Sequence, residues 1–257
     1  MATLKIATWN VNGIRAREAQ VLEWVARERP DVICLQELKS TVAQVPAALC
    51  ELQGYRCYWH GARAYSGVGL HIRTESFAEE PLFQHPSFDF ETRIVTAQLQ
   101  DMIFASVYVP NGGKDFLAKM DFLRRMADFI AEVHAREMRI VLCGDMNIAR
   151  TERDVHPKER NPAVVGQRPD EREIFERILR QGLVDIGRAL DPDNDNLFTW
   201  WAPWRKMRER NIGWRLDYVL ASEFLAAKAA RCHAYREVGT SDHAPVIAEF
   251  DLDGAAR

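Results

Sequence analysis

The sequence predicts an α/β protein in which two mixed β-sheets pack face to face and helices cover their outer surfaces. Three observations carry this expectation. Short apolar or alternating runs recur along the chain and outnumber the segments with helical spacing. Hairpin-like pairs of runs mix with runs separated by a helix, which does not fit a purely parallel sheet. No linker-like stretch interrupts the 257 residues, so a single domain spanning 1–257 with one large core is expected.

Residues 4–9 alternate and stop at Asn10-Val-Asn-Gly, a turn signal. Residues 19–28 place Val21, Leu22 and Val25 on one helical face, with Pro30 beyond the end. Residues 32–35 form a short apolar strand ending at Gln36-Glu37, and 68–72 a strand entered through Gly67. Residues 94–99 and 103–109 read as a hairpin turning at Gln100-Asp101. Residues 116–134 repeat apolar side chains at helical spacing (Phe122, Met126, Phe129, Ile130, Val133), and 140–143 form a buried strand ending at Gly144-Asp145. Residues 150–171 are charged and aperiodic, and read as a long surface loop. Residues 172–181 form an amphipathic helix stopped by Gly182. Strands at 197–200, 216–220 and 246–250 complete the chain.

The chain is 47% hydrophobic with a formal net charge of −3, so any contact with nucleic acid must come from a local basic patch. No apolar run approaches the length of a membrane span, and the N-terminus lacks a leader-like pattern. The expectation is no membrane association and a cytoplasmic setting. The five cysteines, Cys34, Cys50, Cys57, Cys143 and Cys232, are scattered, odd in number and without CxxC spacing. That argues against a cysteine zinc site and a disulfide framework; Cys34 and Cys143 lie in apolar runs and read as small buried side chains.

Polar residues recur where the strands stop. Asn10 and Asn12 follow the first strand, Glu37 the second, and Tyr108 and Asn111 close another. Asp145 and Asn147 follow 140–143, Asp217 lies near the start of its strand, and Asp242 and His243 precede the last. Each alone has an ordinary reading as a turn, a surface residue or a loop cap. Their recurrence at six strand ends points to one shared rim. Carboxylates and amide carbonyls suit a hard divalent ion, and Mg²⁺ often needs only one or two carboxylates besides phosphate and water. Water attack on a phosphodiester needs a carboxylate to orient or deprotonate the nucleophile, and donors around the phosphorus. A histidine backed by a carboxylate supplies a proton or a charge-assisted hydrogen bond.

Six motifs then occur in order: Trp9-Asn-Val-Asn-Gly-Ile-Arg, Leu35-Gln-Glu-Leu-Lys, Tyr108-Val-Pro-Asn, Gly144-Asp-Met-Asn-Ile-Ala, Gly213-Trp-Arg-Leu-Asp-Tyr and Ser241-Asp-His-Ala-Pro. Together, over nearly the whole chain, they resemble the exonuclease III family of apurinic/apyrimidinic endonucleases, within the endonuclease/exonuclease/phosphatase superfamily. The resemblance implies a four-layer α/β sandwich with its active site at one rim of the two sheets. It implies a Mg²⁺-dependent hydrolase, with Mn²⁺ as a substitute, that cuts duplex DNA 5′ to abasic sites and processes 3′ ends. It implies a metal side of Glu37 and Asn10, with Asp242, Asp145 and Asn147 as further candidates. Asp145 would align or activate water, Asn147 would help hold it, and Tyr108 and Asn111 would contact the phosphate. His243 would stand beside the scissile phosphate with Asp217 as its orienting partner. Neighbouring Asp242 would point the other way, since adjacent residues on extended backbone face opposite sides.

For the substrate, the resemblance implies a small apolar pocket for a baseless sugar at Trp200, Trp214 and Leu216. It places Trp204 on a loop entering the DNA groove. Arg205, Lys206, Arg208, Arg210 and Arg215, with Glu209 among them, give that run a net charge of about +4. A DNA clamp is expected there, against the alternative of a solvated helix face; Trp201 reads as core. Asn12, Lys39 and Lys114 are further substrate candidates. The sequence departs from the family pattern at residues 154–169, where a Gly-Phe turn is missing and Pro162 and Val165 differ in character. This leaves open a relative specialised for 3′-phosphate or 3′-end processing with weak abasic incision. The pocket and the basic run argue against a non-DNA phosphoester, and intact motifs argue against an inactive binding protein. Duplex DNA carrying abasic sites or blocked 3′ ends is the expected partner, and a monomer the expected state.

Overall fold

In the computed structural model, which describes residues 3–62 and 64–253, the described strands form two six-stranded sheets. The first holds β1 (Thr3–Asn10), β2 (Val32–Gln36), β3 (Tyr55–His60), β4 (Val68–Arg73), β11 (Ala229–Ala234) and β12 (Val246–Asp251), ordered β11-β12-β1-β2-β4-β3. The second holds β5 (Leu82–Gln84), β6 (Ile94–Leu99), β7 (Met102–Tyr108), β8 (Arg139–Asp145), β9 (Leu183–Asp185) and β10 (Asp217–Ser222), ordered β5-β6-β7-β8-β10-β9. Each sheet has one parallel pair at its centre, β1 with β2 and β7 with β8; the other pairings are antiparallel. A parallel pair needs a crossover. These are supplied by α1 (Glu18–Glu28) and, past the short α2 (Ala47–Cys50), by α3 (Phe116–Ala135). The later helices are α4 (Pro169–Leu179), α5 (Ile186–Leu190) and α6 (Glu223–Ala226).

Alternation along the central strands builds four layers. Ile6 and Cys34 face inward and meet Val95, Phe104, Val141 and Cys143 of the other sheet. Their neighbours Ala7, Trp9, Ile33 and Leu35 face outward beneath Val21, Trp24 and Val25 of α1. On the second sheet Ala105, Val107, Ile140 and Leu142 face outward beneath Phe122, Met126 and Ile130 of α3 and Phe175 and Ile178 of α4. Both faces of these strands are covered, so they read as nearly unbroken apolar runs. Each fully buried aliphatic or aromatic side chain contributes roughly 1.5–3 kcal/mol. The five cysteines are free, with Cys34 and Cys143 buried. No helix among the described residues is long and apolar enough to cross a membrane.

Three expectations are corrected. Residues 197–200 do not form a strand: Trp200 makes only isolated bridges to Trp214 and His243. Thr199 and Trp200 both donate backbone N–H bonds to the Trp214 carbonyl at 2.9 Å, which closes a local loop and leaves no ladder to extend. The helix expected from Arg172 begins at Pro169, where the missing proline N–H costs nothing in the first turn. Glu171 caps that turn by accepting from Arg168 N at 3.2 Å. The expected surface loop at 150–171 is partly interior: Asp154, Val155, Gln167 and Glu171 are buried. Asp154 anchors it by accepting from Arg188 (2.7 Å) and Arg215 (2.8 Å). β3, β5, β9 and β11 escaped the sequence reading because all four are edge strands, short or half-exposed, with weak alternation.

Candidate active site

One rim collects the polar strand ends because of the topology. The parallel pairs β1/β2 and β7/β8 send their C-terminal ends there, bringing Asn10, Glu37, Tyr108 and Asp145. The antiparallel neighbours β10 and β12 send their N-terminal ends: Asp217 pairs in register with Asp145, and His243 lies just before β12. Asn10 Nδ2 donates to Asp145 Oδ2 at 2.9 Å, tying the first sheet to the second at this point.

Asp145 is buried at the floor of the rim. Its Oδ1 accepts from Asn147 N at 2.8 Å, and His243 Nε2 stands 3.8 Å from its Oδ2. His243 Nδ1 donates to Asp217 Oδ2 at 2.8 Å. The same oxygen accepts from Thr199 Oγ1 at 2.6 Å, and Thr199 Oγ1 in turn accepts from the Leu216 and Asp217 N–H groups. Burial works against a charged imidazole, but Asp217 and Asp145 outweigh it and raise His243 to about 10. Burial, reinforced by Asp217 and opposed by His243, raises Asp145 to about 7. The site therefore biases the imidazole toward its charged form and the Asp145 carboxyl toward its neutral one.

A second chain of contacts runs along the opposite lip. Lys39 Nζ pairs with Glu37 Oε1 at 2.9 Å and donates to Asn12 Oδ1 at 2.5 Å. Asn12 Nδ2 donates to Asp242 Oδ1 at 2.7 Å, and Trp200 Nε1 to Asp242 Oδ2 at 3.0 Å. Asp242 and His243 thus diverge as expected. Asn10 Oδ1 accepts from Asn12 N at 3.0 Å, so both ends of the Asn10 amide are engaged within the protein. Asn12, Glu37, Lys39 and Asn147 all sit at φ between 45° and 56°. That conformation is unfavourable for side-chain-bearing residues, and its concentration here marks a site held by its surroundings.

Glu37, Tyr108, Asn111, Asp145, Asn147, Asp242 and His243 line one cleft of about 560 Å³. Trp200, Trp214 and Leu216 form its apolar wall, with Val164 and Val165 of the divergent loop beside them. Trp200 and Trp214 meet edge to face at 5.4 Å. Trp204 is 60% exposed, Arg205 and Lys206 are exposed next to it, and Trp201 is core. Lys114 is exposed on the approach to α3, away from the cleft lining.

Two arginines of the expected clamp are placed otherwise. Arg208 turns inward and donates to the carbonyls of Arg236 (2.7 Å), Val238 (2.9 Å) and Ser241, with its guanidinium over Trp201. It braces the turn leading to His243. Arg215 is buried against Asp154 and Asp185, which a cation desolvated at that depth requires. The sequence reading also missed Thr199, Lys119 and Arg93. Lys119 is fully buried, donates to the carbonyls of Asn147 (2.8 Å) and Asn111 (3.2 Å), and pairs with Glu171 at 2.5 Å. Its signal was a lysine on the apolar face of α3, one turn before Phe122 and Leu123. Arg93 lies 5.1 Å from the Tyr108 ring; nothing in its sequence neighbourhood marks it.

The donor set fits a hard cation. Glu37, Asp145 and Asp242 face one cleft, and the ligand atoms of Asp145, Asp217 and His243 lie within 4.8 Å of one another. Burial, then the charges of Glu37 and Asp145, push the Tyr108 phenol well above its ordinary value. Asp217 Oδ1 is buried without a hydrogen-bond partner. An anionic, oxygen-rich cleft of this kind can coordinate a divalent metal.

Comparison with known proteins agrees with this geometry. Residues 7–243 match the model of the Endonuclease/Exonuclease/phosphatase family. The chain is 34% identical over 253 residues to the DNA repair nuclease APEX1 of Danio rerio, covering 95% of this chain and 81% of that protein. An AP endonuclease structure from Archaeoglobus fulgidus superimposes with a TM-score of 0.87 at 30% identity, covering 97% of this chain and 100% of that one. The 3′ phosphatase NExo from Neisseria, bound to a product DNA hairpin, superimposes with a TM-score of 0.88 at 31% identity, with the same coverage. Motif order, sheet topology and the converging rim agree with these likenesses, and the chain belongs to the endonuclease/exonuclease/phosphatase family.

Proposed function

We infer that this protein is a Mg²⁺-dependent DNA-repair phosphodiesterase that cuts duplex DNA 5′ to abasic sites and processes 3′ ends, working as a monomer. The observation that carries this reading is the buried Asp145 carboxylate, 3.8 Å from an imidazole that Asp217 holds in place, at the floor of a cleft walled by tryptophans. Asp145, raised by burial to about 7, can take a proton from a water molecule near neutral pH. Asn147, whose Nδ2 donates to Val109 O at 2.9 Å, is fixed beside it and aligns that water. His243 stays protonated and donates to a phosphate oxygen as negative charge builds there. Tyr108 and Asn111 contact the other phosphate oxygens from the opposite wall. Glu37 and Asp242 would hold Mg²⁺, or Mn²⁺ in its place, whose role is to neutralise phosphate charge as a Lewis acid. Asn10 supports that side through Asp145 and Asn12 rather than through a free oxygen of its own.

Substrate choice rests on the walls. Trp200, Trp214 and Leu216 leave room for an extrahelical sugar without a base. Trp204, with Arg205 and Lys206, faces the duplex, where an aromatic wedge and cations keep it distorted. Val164 and Val165 favour a second reading. That reading is a specialist for 3′-phosphate removal with weak abasic incision, and it rests on the divergent loop's two β-branched side chains in the cleft lining. One experiment tests both: protein with Mg²⁺ on three end-labelled duplexes carrying an internal abasic analogue, a 3′-phosphate, or neither. Cleavage 5′ to the abasic analogue supports the first reading. Release of phosphate with an intact abasic strand supports the second. No Mg²⁺-dependent product from any duplex overturns both.

A further inference from the structure

On the flank of the molecule, β3 of the first sheet meets β5 of the second, and both are edge strands. Residues two apart on a strand share a face. Tyr58 and His60 therefore project together, toward Phe83 of β5 and His85 just past its end. Tyr58 stacks on Phe83 with ring centres 4.9 Å apart. The Tyr58 hydroxyl is bonded to His85 Nε2 at 2.8 Å, and the His60 and His85 rings lie 3.8 Å apart. Asp89 closes the group: its Oδ2 is 2.6 Å from His60 Nε2, while its Oδ1 accepts from the Arg93 and Ile94 N–H groups at 2.8 and 3.0 Å. None of these residues lines the catalytic cleft.

We propose that His60, His85 and Asp89 form a second metal site, for a borderline divalent ion of the zinc type, which clips the edges of the two sheets together. One ligand atom from each residue lies within 4.8 Å of the others. On a tetrahedral zinc ion such atoms are about 3.3 Å apart. Meeting that geometry means parting His60 Nε2 from Asp89 Oδ2, now 2.6 Å apart, and adjusting the exposed His85, by shifts of about an ångström. Two imidazoles and one carboxylate suit zinc, cobalt or nickel; Mg²⁺ prefers oxygen ligands, so the catalytic ion does not compete well here. Asp89 is already oriented by two backbone donors, the kind of support that ligating carboxylates need. Cysteine spacing could not reveal such a site, because it uses no cysteine.

Three protein ligands leave a fourth position for water or for the Tyr58 oxygen. The site's role would be structural. It joins β3 to the segment that ends in Arg93, and Arg93 lies against the Tyr108 ring. Binding should therefore stabilise the fold without being required for phosphodiester cleavage.

Co²⁺ is the probe, titrated into metal-stripped protein in excess Mg²⁺ and followed by its visible ligand-field absorption. One equivalent should give the strong absorption of a low-coordinate site, and Zn²⁺ should displace it and raise the Tm by several degrees. His85→Ala, at an exposed position, should still fold by circular dichroism and cut duplex DNA, yet weaken Co²⁺ binding more than about 100-fold. His85→Gln should behave alike, a check that the loss is one of ligation rather than of packing. His243→Ala, at the catalytic rim, should keep the cobalt signal. Absence of the signal from the wild-type protein overturns the proposal. So does a signal that survives both His85 substitutions, or one that disappears with His243.

Discussion

Asp217 concentrates two bonds on one oxygen, accepting from His243 Nδ1 and Thr199 Oγ1 through Oδ2. Asp217→Asn should keep the fold and lower activity by about 10- to 100-fold, as loss of a positioning carboxylate does. The pH profile carries the sharper result. Asp217 is the largest influence holding His243 up at about 10, so its removal lowers that value, and activity that needs the imidazolium fails at a lower pH. An alkaline limb that does not move would remove Asp217 from this role. The sign for stability follows from the same shift. A histidine raised on folding contributes stabilisation that is complete below its unfolded value of about 6.5 and lost as pH rises through about 10. Glu37→Gln tests the other lip. The variant should fold, lose activity by orders of magnitude, and recover part of it at raised Mg²⁺. Near-full turnover in that variant would mean that the ion is not held there.

At the scale of elements, the segment after Trp201 divides into two functions that its composition does not separate. Trp204, Arg205 and Lys206 face solvent, whereas Arg208 is committed to three carbonyls of the turn before His243. Trp204→Ala with Arg205 and Lys206 neutralised should make the salt dependence of duplex binding shallower by about 0.9 per lost phosphate contact. Abasic incision should fall more than 3′-phosphate removal, since an end needs less deformation. Arg208→Ala should do the reverse, lowering turnover on both substrates while the salt slope stays put. Parallel salt titrations and single-turnover rates distinguish the two; equal salt slopes in all three proteins would refute a clamp. Lys119 joins elements in another way. It lies inside α3, pairs with Glu171 of α4 and holds the Asn111 and Asn147 carbonyls. Lys119→Met should cost about 3–5 kcal/mol in urea denaturation, because Glu171 is left buried and unpaired. A cost under 1 kcal/mol would show that water reaches the pair.

For the whole molecule, the catalytic rim exists only while the two sheets stay in register across their shared core. Phe104 is fully buried between them. Phe104→Ala should lower unfolding free energy by about 3–5 kcal/mol, measured by denaturant midpoint. It should also lower turnover at temperatures where the variant remains folded, since Asn10 of one sheet positions Asp145 of the other. Unchanged turnover would show that the rim tolerates slack between the sheets.

The sequence by itself determined the central architecture and marked polar strand ends that the structure gathers at one rim. Strands covered on both faces leave apolar runs, as at Ile140 to Cys143, and crossover helices leave a 3.6-residue stripe, as at Phe122, Met126 and Ile130. Glu37, Asp145, Asp217 and His243 were legible because each follows or precedes such a run. Edge strands such as β3 and β11 were not, because one-sided burial leaves no strong period. Tertiary structure alone decided which charges meet. Arg205 and Arg208 are indistinguishable as letters, yet one faces solvent and the other binds the backbone that presents His243. Thr199 reaches Asp217 from 18 residues away, and Asn10 reaches Asp145 from 135. Local propensity acts over a few residues, whereas desolvation and hydrogen bonding depend on what the folded chain brings within about 3 Å. Pairing across that sequence distance is settled only when the two sheets close on each other.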